Sequence, residues 1–322
     1  MRIVYCDYEL SKTLEKELEM LETVFPGCEV ECCRYIDDRT LAGKLREADG
    51  FLTANLRVSR RVLQQTERLK VISVDSVGCW NVDTAAAGEK GILVCSMGEY
   101  CTEEVADHGM LLILMLEKQV KQYMRYVEET HIYNYRVCPP RRRISGKRLA
   151  IFGYGRVGRQ LAVRANAFGY EITAVPHDRL RIGSAEGEVC YISADEAFET
   201  ADVIVNSMSE TTETFEYFNR EAFAKMKRCP LFINLARGSA VNETDLLEAL
   251  KKKKVAGAGL DVLKEVHPDL ETCPLLGLEQ VVITPHMAFY SVDAMESIKS
   301  LPVKNLIYGL TGENNKITSI AR

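Results

Sequence analysis

The sequence predicts an α/β protein built on two doubly wound parallel sheets, and three observations carry that expectation. The chain runs to 322 residues, enough for about two domains of ordinary size. Short apolar runs alternate with amphipathic stretches along its length, the pattern of parallel strands covered by helices. Near the middle, Leu149-Ala150-Ile151-Phe152 breaks on Gly153-Tyr154-Gly155-Arg156-Val157-Gly158 and continues as a helical pattern, which reads as strand, glycine turn and helix.

Residues 2–6 form an apolar strand, 11–23 a charged amphipathic helix, 50–53 a strand, 59–66 a helix and 71–74 a strand. From residue 103 to about residue 129 a long helical pattern contains the apolar run 109–116, flanked by His108 and Glu117. That run is far short of the roughly 20 residues that cross a bilayer, so it belongs to a buried helix. Cys138-Pro139-Pro140 interrupts the pattern. After the glycine turn a second alternating series places strands at 171–175, 202–206, 231–235, 256–260 and 280–284.

Composition excludes several classes. With 47% hydrophobic and 27% charged residues the chain is neither disordered nor a membrane protein. A formal net charge of −5 argues against nucleic acid as a partner, and the local runs Arg141-Arg142-Arg143 and 251–254 read as a solvated loop and a helix C-terminus. The eleven cysteines are odd in number and scattered, with no C-x-x-C pair, which points to reduced, mostly buried thiols and no metal site. Residues 1–10 run at once into acidic side chains without an apolar targeting core, so the expected location is the cytoplasm.

Each glycine of the turn has a physical task. Gly153 allows the tight turn, Gly155 lets phosphates come close to the backbone, and Gly158 lets the helix pack on its strand. The helix N-terminus then faces a pyrophosphate with its N–H groups, so the turn reads as a dinucleotide site.

Further motifs follow the glycine turn in a fixed order: Asn234-Leu235-Ala236-Arg237-Gly238, Gly259-Leu260-Asp261-Val262, and Thr284-Pro285-His286 continuing to Ser291. With Val77-Gly78 and the stretch 98–108 upstream, they resemble the D-isomer-specific 2-hydroxyacid dehydrogenases over nearly the whole chain. The Ala288-Phe289-Tyr290 ending is similar to the D-lactate and D-2-hydroxyisocaproate branch. The resemblance implies a discontinuous substrate domain, residues 1–102 and 291–322, around a dinucleotide-binding domain at 103–290, both Rossmann-like, with the active site in the cleft between them. It also implies a homodimer.

Reduction of a 2-keto acid needs a fixed, forked cation for the substrate and a proton donor for the carbonyl oxygen. Arg237, at a strand's carboxyl end, fits the first role and His286 the second. By the same resemblance the backbone of Val77 and Gly78 holds the substrate carboxylate, with Tyr100 close by. The amides of Arg156 and Val157 meet the pyrophosphate, while Ala236 and Asp261 sit at the cofactor, Asp261 toward the nicotinamide. His108 is expected to cap or pack on its helix.

Two positions depart from the family's pattern. The glutamate that pairs with the histidine falls on Val266, with Glu265 one residue early and His267 one late. The acidic residue expected to bind the adenosine ribose falls on Pro176, followed by His177, Asp178 and Arg179. Asp178 would favour NAD, whereas His177, Arg179 and Arg181 would receive the 2′-phosphate of NADP, so both cofactors stay open. The leading reading is an oxidoreductase for a small D-2-hydroxy acid and its 2-keto acid. The alternative is a dinucleotide-binding sensor or interaction protein that keeps the fold with impaired chemistry.

Overall fold

The computed structural model describes residues 1–6, 14–54, 56–265 and 267–321, without the side chain of Arg179. Val266 and the start of the helix expected at 11–23 therefore lie outside the described residues. The chain forms two compact units, Met1–Cys101 with Ser291–Arg322, and Thr102–Tyr290.

The first unit begins with β1 (Arg2–Cys6), α1 (Glu15–Val24), β2 (Glu29–Cys33), α2 (Asp38–Leu45), β3 (Gly50–Thr53), α3 (Arg60–Leu63), β4 (Val71–Val74), α4 (Thr84–Glu89) and β5 (Leu93–Ser96). Strands β3 and β4 are buried at every residue. Parallel strands covered on both faces therefore appear in sequence as unbroken apolar runs. Helices start where a side chain can satisfy a free N–H: Asp37 accepts from Thr40 at the head of α2, and Asp83 from Ala86 at the head of α4.

The second unit contains α5 (Thr102–Glu117), α6 (Val120–Thr130), β6 (Arg148–Phe152), α7 (Arg156–Ala167), β7 (Glu171–Val175), β8 (Ala185–Glu186), β9 (Val189–Tyr191) and α8 (Ala194–Thr200). It continues with β10 (Val203–Asn206), α9 (Arg220–Ala224), β11 (Leu231–Asn234), α10 (Glu243–Lys251), β12 (Gly257–Leu260) and β13 (Val281–Ile283). The chain then returns to the first unit as α11 (Val292–Thr311) and β14 (Ser319–Ile320).

The first unit's sheet has strand order β14-β5-β4-β3-β1-β2, and the second unit's β13-β12-β11-β10-β6-β7-β9-β8. All pairings are parallel except β14 on β5 and β8 on β9. In the second unit α5 and α7 cover one face around Leu112, Ile113 and Leu161. The other face is an aromatic cluster in which Phe152, Phe198, Phe218 and Phe232 meet at centroid distances of 4.8–6.2 Å.

The long helix expected over 103–129 is two helices. Gln119 takes a left-handed φ of 54° and its buried amide donates to the Pro139 carbonyl at 2.9 Å, which ends α5 and starts α6. No residue of α6 is buried, so its amphipathic pattern does not serve the core of this unit. The expectation of mostly buried thiols is also corrected. All eleven cysteines are free, but only Cys6, Cys95 and Cys101 are buried, while Cys32 and Cys190 are exposed. Of the eight that are not buried, Cys32 and Cys33 lie on the edge strand β2, Cys190 on the short strand β9, and Cys28, Cys79, Cys138, Cys229 and Cys273 in loops, where apolar neighbours do not enclose them.

Candidate active site

The glycine turn leaves β6 with Gly153 at φ 88°, a left-handed conformation that disfavours any side chain. A Cβ there would also stand 2.6 Å from the Met208 nitrogen. One on Gly158 would stand 2.6 Å from the Gly153 carbonyl oxygen, so the helix rests directly on the turn. Gly155 differs: a Cβ would meet nothing within 4 Å, and Gly155 caps α7 without a side-chain hydrogen bond. The first turn of a twelve-residue helix thus faces open space with its positive end, which fits the pyrophosphate of a dinucleotide. Ser207, which sequence reasoning missed, braces the turn by donating to the Gly153 carbonyl at 2.7 Å.

Two buried asparagines shape the neighbouring loops. Asn206 and Asn234 close β10 and β11 in register. Asn234 receives the Asn206 amide at 3.0 Å and the Ala236 N–H at 3.1 Å, and donates to the Arg237 carbonyl at 3.0 Å. The Ala236 N–H is therefore committed within its own loop. Arg237 itself is exposed, with one guanidinium N–H on the Ala236 carbonyl at 2.8 Å and Glu210 as a distant counterion at 3.9 Å. The sequence signal for the pair was present: each apolar run, Val203-Ile204-Val205 and Leu231-Phe232-Ile233, ends in an asparagine.

The loop after β13 is organised by Asp261, which follows β12 and is 2% exposed. Its carboxylate accepts from the Thr284 hydroxyl at 2.7 Å and from the backbone of Met287 and Ala288 at 3.0 Å each. Its carbonyl accepts the His286 N–H at 2.8 Å. Asp261, expected toward the nicotinamide, is a buried anchor whose oxygens hold the loop that carries His286. His108, expected only to cap or pack, reaches the same network: its Nε2 lies 2.9 Å from Thr284 Oγ1 and 3.4 Å from Asp261 Oδ1. Burial keeps His108 below the usual histidine pKa, against the pull of Asp261.

His286 is set at φ 52° by this anchoring, with its side chain exposed and edge-on to Phe289. Loss of hydration, then the positive charge of Arg237, push its pKa below the usual histidine value, and Asp261 pulls the other way. Arg237, Asp261 and His286 thus leave the carboxyl ends of three adjacent parallel strands, β11, β12 and β13. Glu265 is exposed, and no carboxylate among the described residues hydrogen-bonds the His286 ring.

After β7, Pro176 is half-buried and His177 and Asp178 are exposed, Asp178 accepting the Leu180 N–H at 2.9 Å. Arg179 opens a short 3-10 turn that ends on Arg181. The Arg181 guanidinium is paired with Glu186 at 3.0 Å and lies 4.2 Å over the Tyr191 ring.

In the first unit, Ser96 donates to the Val77 carbonyl at 3.0 Å and Ser76 to the Gly78 carbonyl at 2.5 Å. With both carbonyls tied, the N–H groups of Val77 and Gly78 meet no acceptor among the described residues. Tyr100 is half-buried at the end of the following loop.

Comparison with known proteins finds relatives of this chain. Residues 110–288 match the family described as D-isomer specific 2-hydroxyacid dehydrogenase, NAD binding domain. A glyoxylate reductase of Pyrococcus furiosus is 30% identical over 307 residues, 93% of this chain and 90% of that protein. A hydroxypyruvate reductase of Blautia hydrogenotrophica is 30% identical over 298 residues, 88% of this chain and 90% of that protein. A crystal structure of a Thermus thermophilus protein shares 30% identity and a TM-score of 0.83 over 97% of each chain.

Proposed function

This chain belongs to the D-isomer specific 2-hydroxyacid dehydrogenase family, NAD(P)-dependent enzymes that pass hydride between a nicotinamide and a 2-hydroxy or 2-keto acid, and we propose which residues perform that reaction here. The observation that carries the assignment is the delivery of Arg237 and His286 from the carboxyl ends of strands flanking β12, where α/β sheets bind their ligands.

The Gly153–Gly158 turn and the amides of Arg156 and Val157 hold the pyrophosphate, with Ala236 beside the cofactor. When bound, the reduced nicotinamide supplies the hydride. Arg237 holds the keto acid through its exposed guanidinium, and the N–H groups of Val77 and Gly78 receive the carboxylate beside Tyr100. A ring N–H of His286 gives its proton to the carbonyl oxygen, and the neutral ring takes a proton from the hydroxyl in the reverse direction. The substrates named for the relatives, glyoxylate and hydroxypyruvate, suggest a keto acid of that size. Asp178 as an exposed acceptor, with Arg181 closed off by Glu186, supports NAD over NADP.

His286→Ala and Arg237→Lys test the roles. Each should lower keto-acid reduction by about 10²- to 10⁴-fold while NADH titration stays unchanged. Near wild-type turnover in either variant removes that residue from the mechanism. NADH binding without turnover by the wild-type protein on any small 2-keto acid favours the sensor reading.

We also assign a homodimer in the cytoplasm. Helix α6 has no buried residue, and Met124 and Val127 on it, with Ile132, Tyr133 and Tyr135 beyond it, are large exposed apolar groups that a second copy would cover. Among the described residues no helix is long and apolar enough to cross a membrane, and eleven free thiols suit a reducing compartment. Sedimentation of Met124→Arg should then show a monomer where the parent chain sediments as a dimer.

A further inference from the structure

We infer that His108 is a positioning residue for the His286 loop, acting through the Thr284 hydroxyl on Asp261; the inference rests on His286 being the proton-carrying group.

A threonine hydroxyl has one hydrogen, and here it goes to Asp261 Oδ1 at 2.7 Å. The Thr284 oxygen 2.9 Å from His108 Nε2 can then only accept, so His108 carries its proton on Nε2. The chain of donors runs from His108 to Thr284 to Asp261 in one direction. At its end the Asp261 carboxylate also takes the N–H groups of Met287 and Ala288, and the Asp261 carbonyl takes that of His286. His286 is therefore fastened on both sides while its own backbone sits at φ 52°, a conformation that relaxes unless its neighbours hold it.

The placement of His108 supports a directed role. It lies on α5 directly before the apolar run 109–116, and it is 7% exposed. An apolar side chain would pack into such a site at no desolvation cost, whereas a histidine must be kept neutral and satisfied. Its ring is turned onto a hydroxyl that touches Asp261. Loss of this donor frees the Thr284 hydroxyl to turn away, and the carboxylate then loses one of the bonds that fix its orientation under the His286 loop.

The test compares His108→Leu with His108→Gln, and Thr284→Val with Thr284→Ser, because glutamine and serine keep a donor near the original atom. His108→Leu and Thr284→Val should each lower kcat by about tenfold to a hundredfold, the scale expected for a misplaced reacting group. NADH affinity and the KM for the keto acid should hold, and the Gln and Ser variants should recover most of kcat. The double variant His108→Leu with Thr284→Val should be no worse than the single ones, because both break one chain. Equal losses in the Leu and Gln variants, additive losses in the double variant, or unchanged kcat would each overturn the proposal. Should His108→Leu not fold, the Thr284 pair and His108→Gln still decide it. If His286→Ala retains turnover, the parent reading fails; if it loses turnover while His108→Leu does not, only this inference fails.

Discussion

Asn206 and Asn234 face each other across adjacent parallel strands, joined side chain to side chain at 3.0 Å and almost fully buried. Asn234 also holds the loop that presents Arg237. Asn234→Ala leaves the Asn206 amide, the Ala236 N–H and the Arg237 carbonyl without their partner. Leaving such groups unsatisfied costs about 1–3 kcal/mol each, so denaturant titration should show a loss of at least that order. A rise in the KM for the keto acid should accompany it, and unchanged stability would mean the three groups find new partners.

The three glycines of the turn separate folding from binding. Gly155 has an ordinary φ of −88° and open space where a Cβ would stand. Gly155→Ala should therefore unfold at the wild-type denaturant midpoint while losing affinity for the dinucleotide. Gly158→Ala forces a methyl against the Gly153 carbonyl and should cost about 1–3 kcal/mol of stability, like other overpacking changes. If Gly155→Ala binds NADH as the parent does, the helix N-terminus is not the phosphate site.

Reduction requires the protonated His286, whose pKa lies below the ordinary histidine value for want of hydration and because of Arg237. The rate of keto-acid reduction should therefore fall as pH rises through a pKa under about 6.5, leaving the neutral ring to serve oxidation at pH 7. Asp261→Asn removes the charge that opposes this shift and should move the limb to still lower pH. Val266→Glu, at the position where the family resemblance implies a glutamate, should move it to higher pH. If instead Glu265→Gln is the change that lowers the limb, the carboxylate has been relocated and not lost. A profile that ignores all three substitutions would show that His286 is not the group titrating.

Cofactor choice can be read at two residues. Asp178→Ala should weaken NAD by about tenfold or more, the value of one hydrogen bond to a charged acceptor, with little effect on NADP. Arg181→Ala should weaken neither, because its guanidinium already belongs to Glu186 and Tyr191. Calorimetric titration of both cofactors checks this, and a selective loss of NADP in Arg181→Ala would reverse the assignment.

Much of the fold was legible because buried parallel strands declare themselves as apolar runs. The expected strands at 2–6, 50–53, 71–74 and 171–175 coincide with β1, β3, β4 and β7. Strand β2 was not seen, since the alternation Glu29-Val30-Glu31 that marks a half-buried edge strand stops after three residues, and the β8–β9 hairpin is too short to set a period. The break at Gln119 was invisible because glutamine is a good helix former, and the bond to Pro139 that stabilises the left-handed turn comes from a residue 20 positions away. The same limit hid His108. Periodicity places it on a helix beside an apolar run, but its partner, Thr284, is 176 positions distant.

The return of the chain to its first unit bears on biosynthesis. Strand β14 completes the first sheet by pairing Ser319 and Ile320 with Ser96 and Cys95, and Asn305 of α11 donates to the Ser96 carbonyl. Ser73 of β4 likewise donates to the carbonyl of Pro302. On the ribosome, Met1–Cys101 emerges before Thr102–Tyr290 yet lacks its covering helix and edge strand until residues 291–320 follow, while Thr102–Tyr290 holds all its own elements by then. The first unit thus carries an open sheet edge and an uncovered apolar face while the whole of Thr102–Tyr290 is made, an interval in which such surfaces recruit chaperones or aggregate.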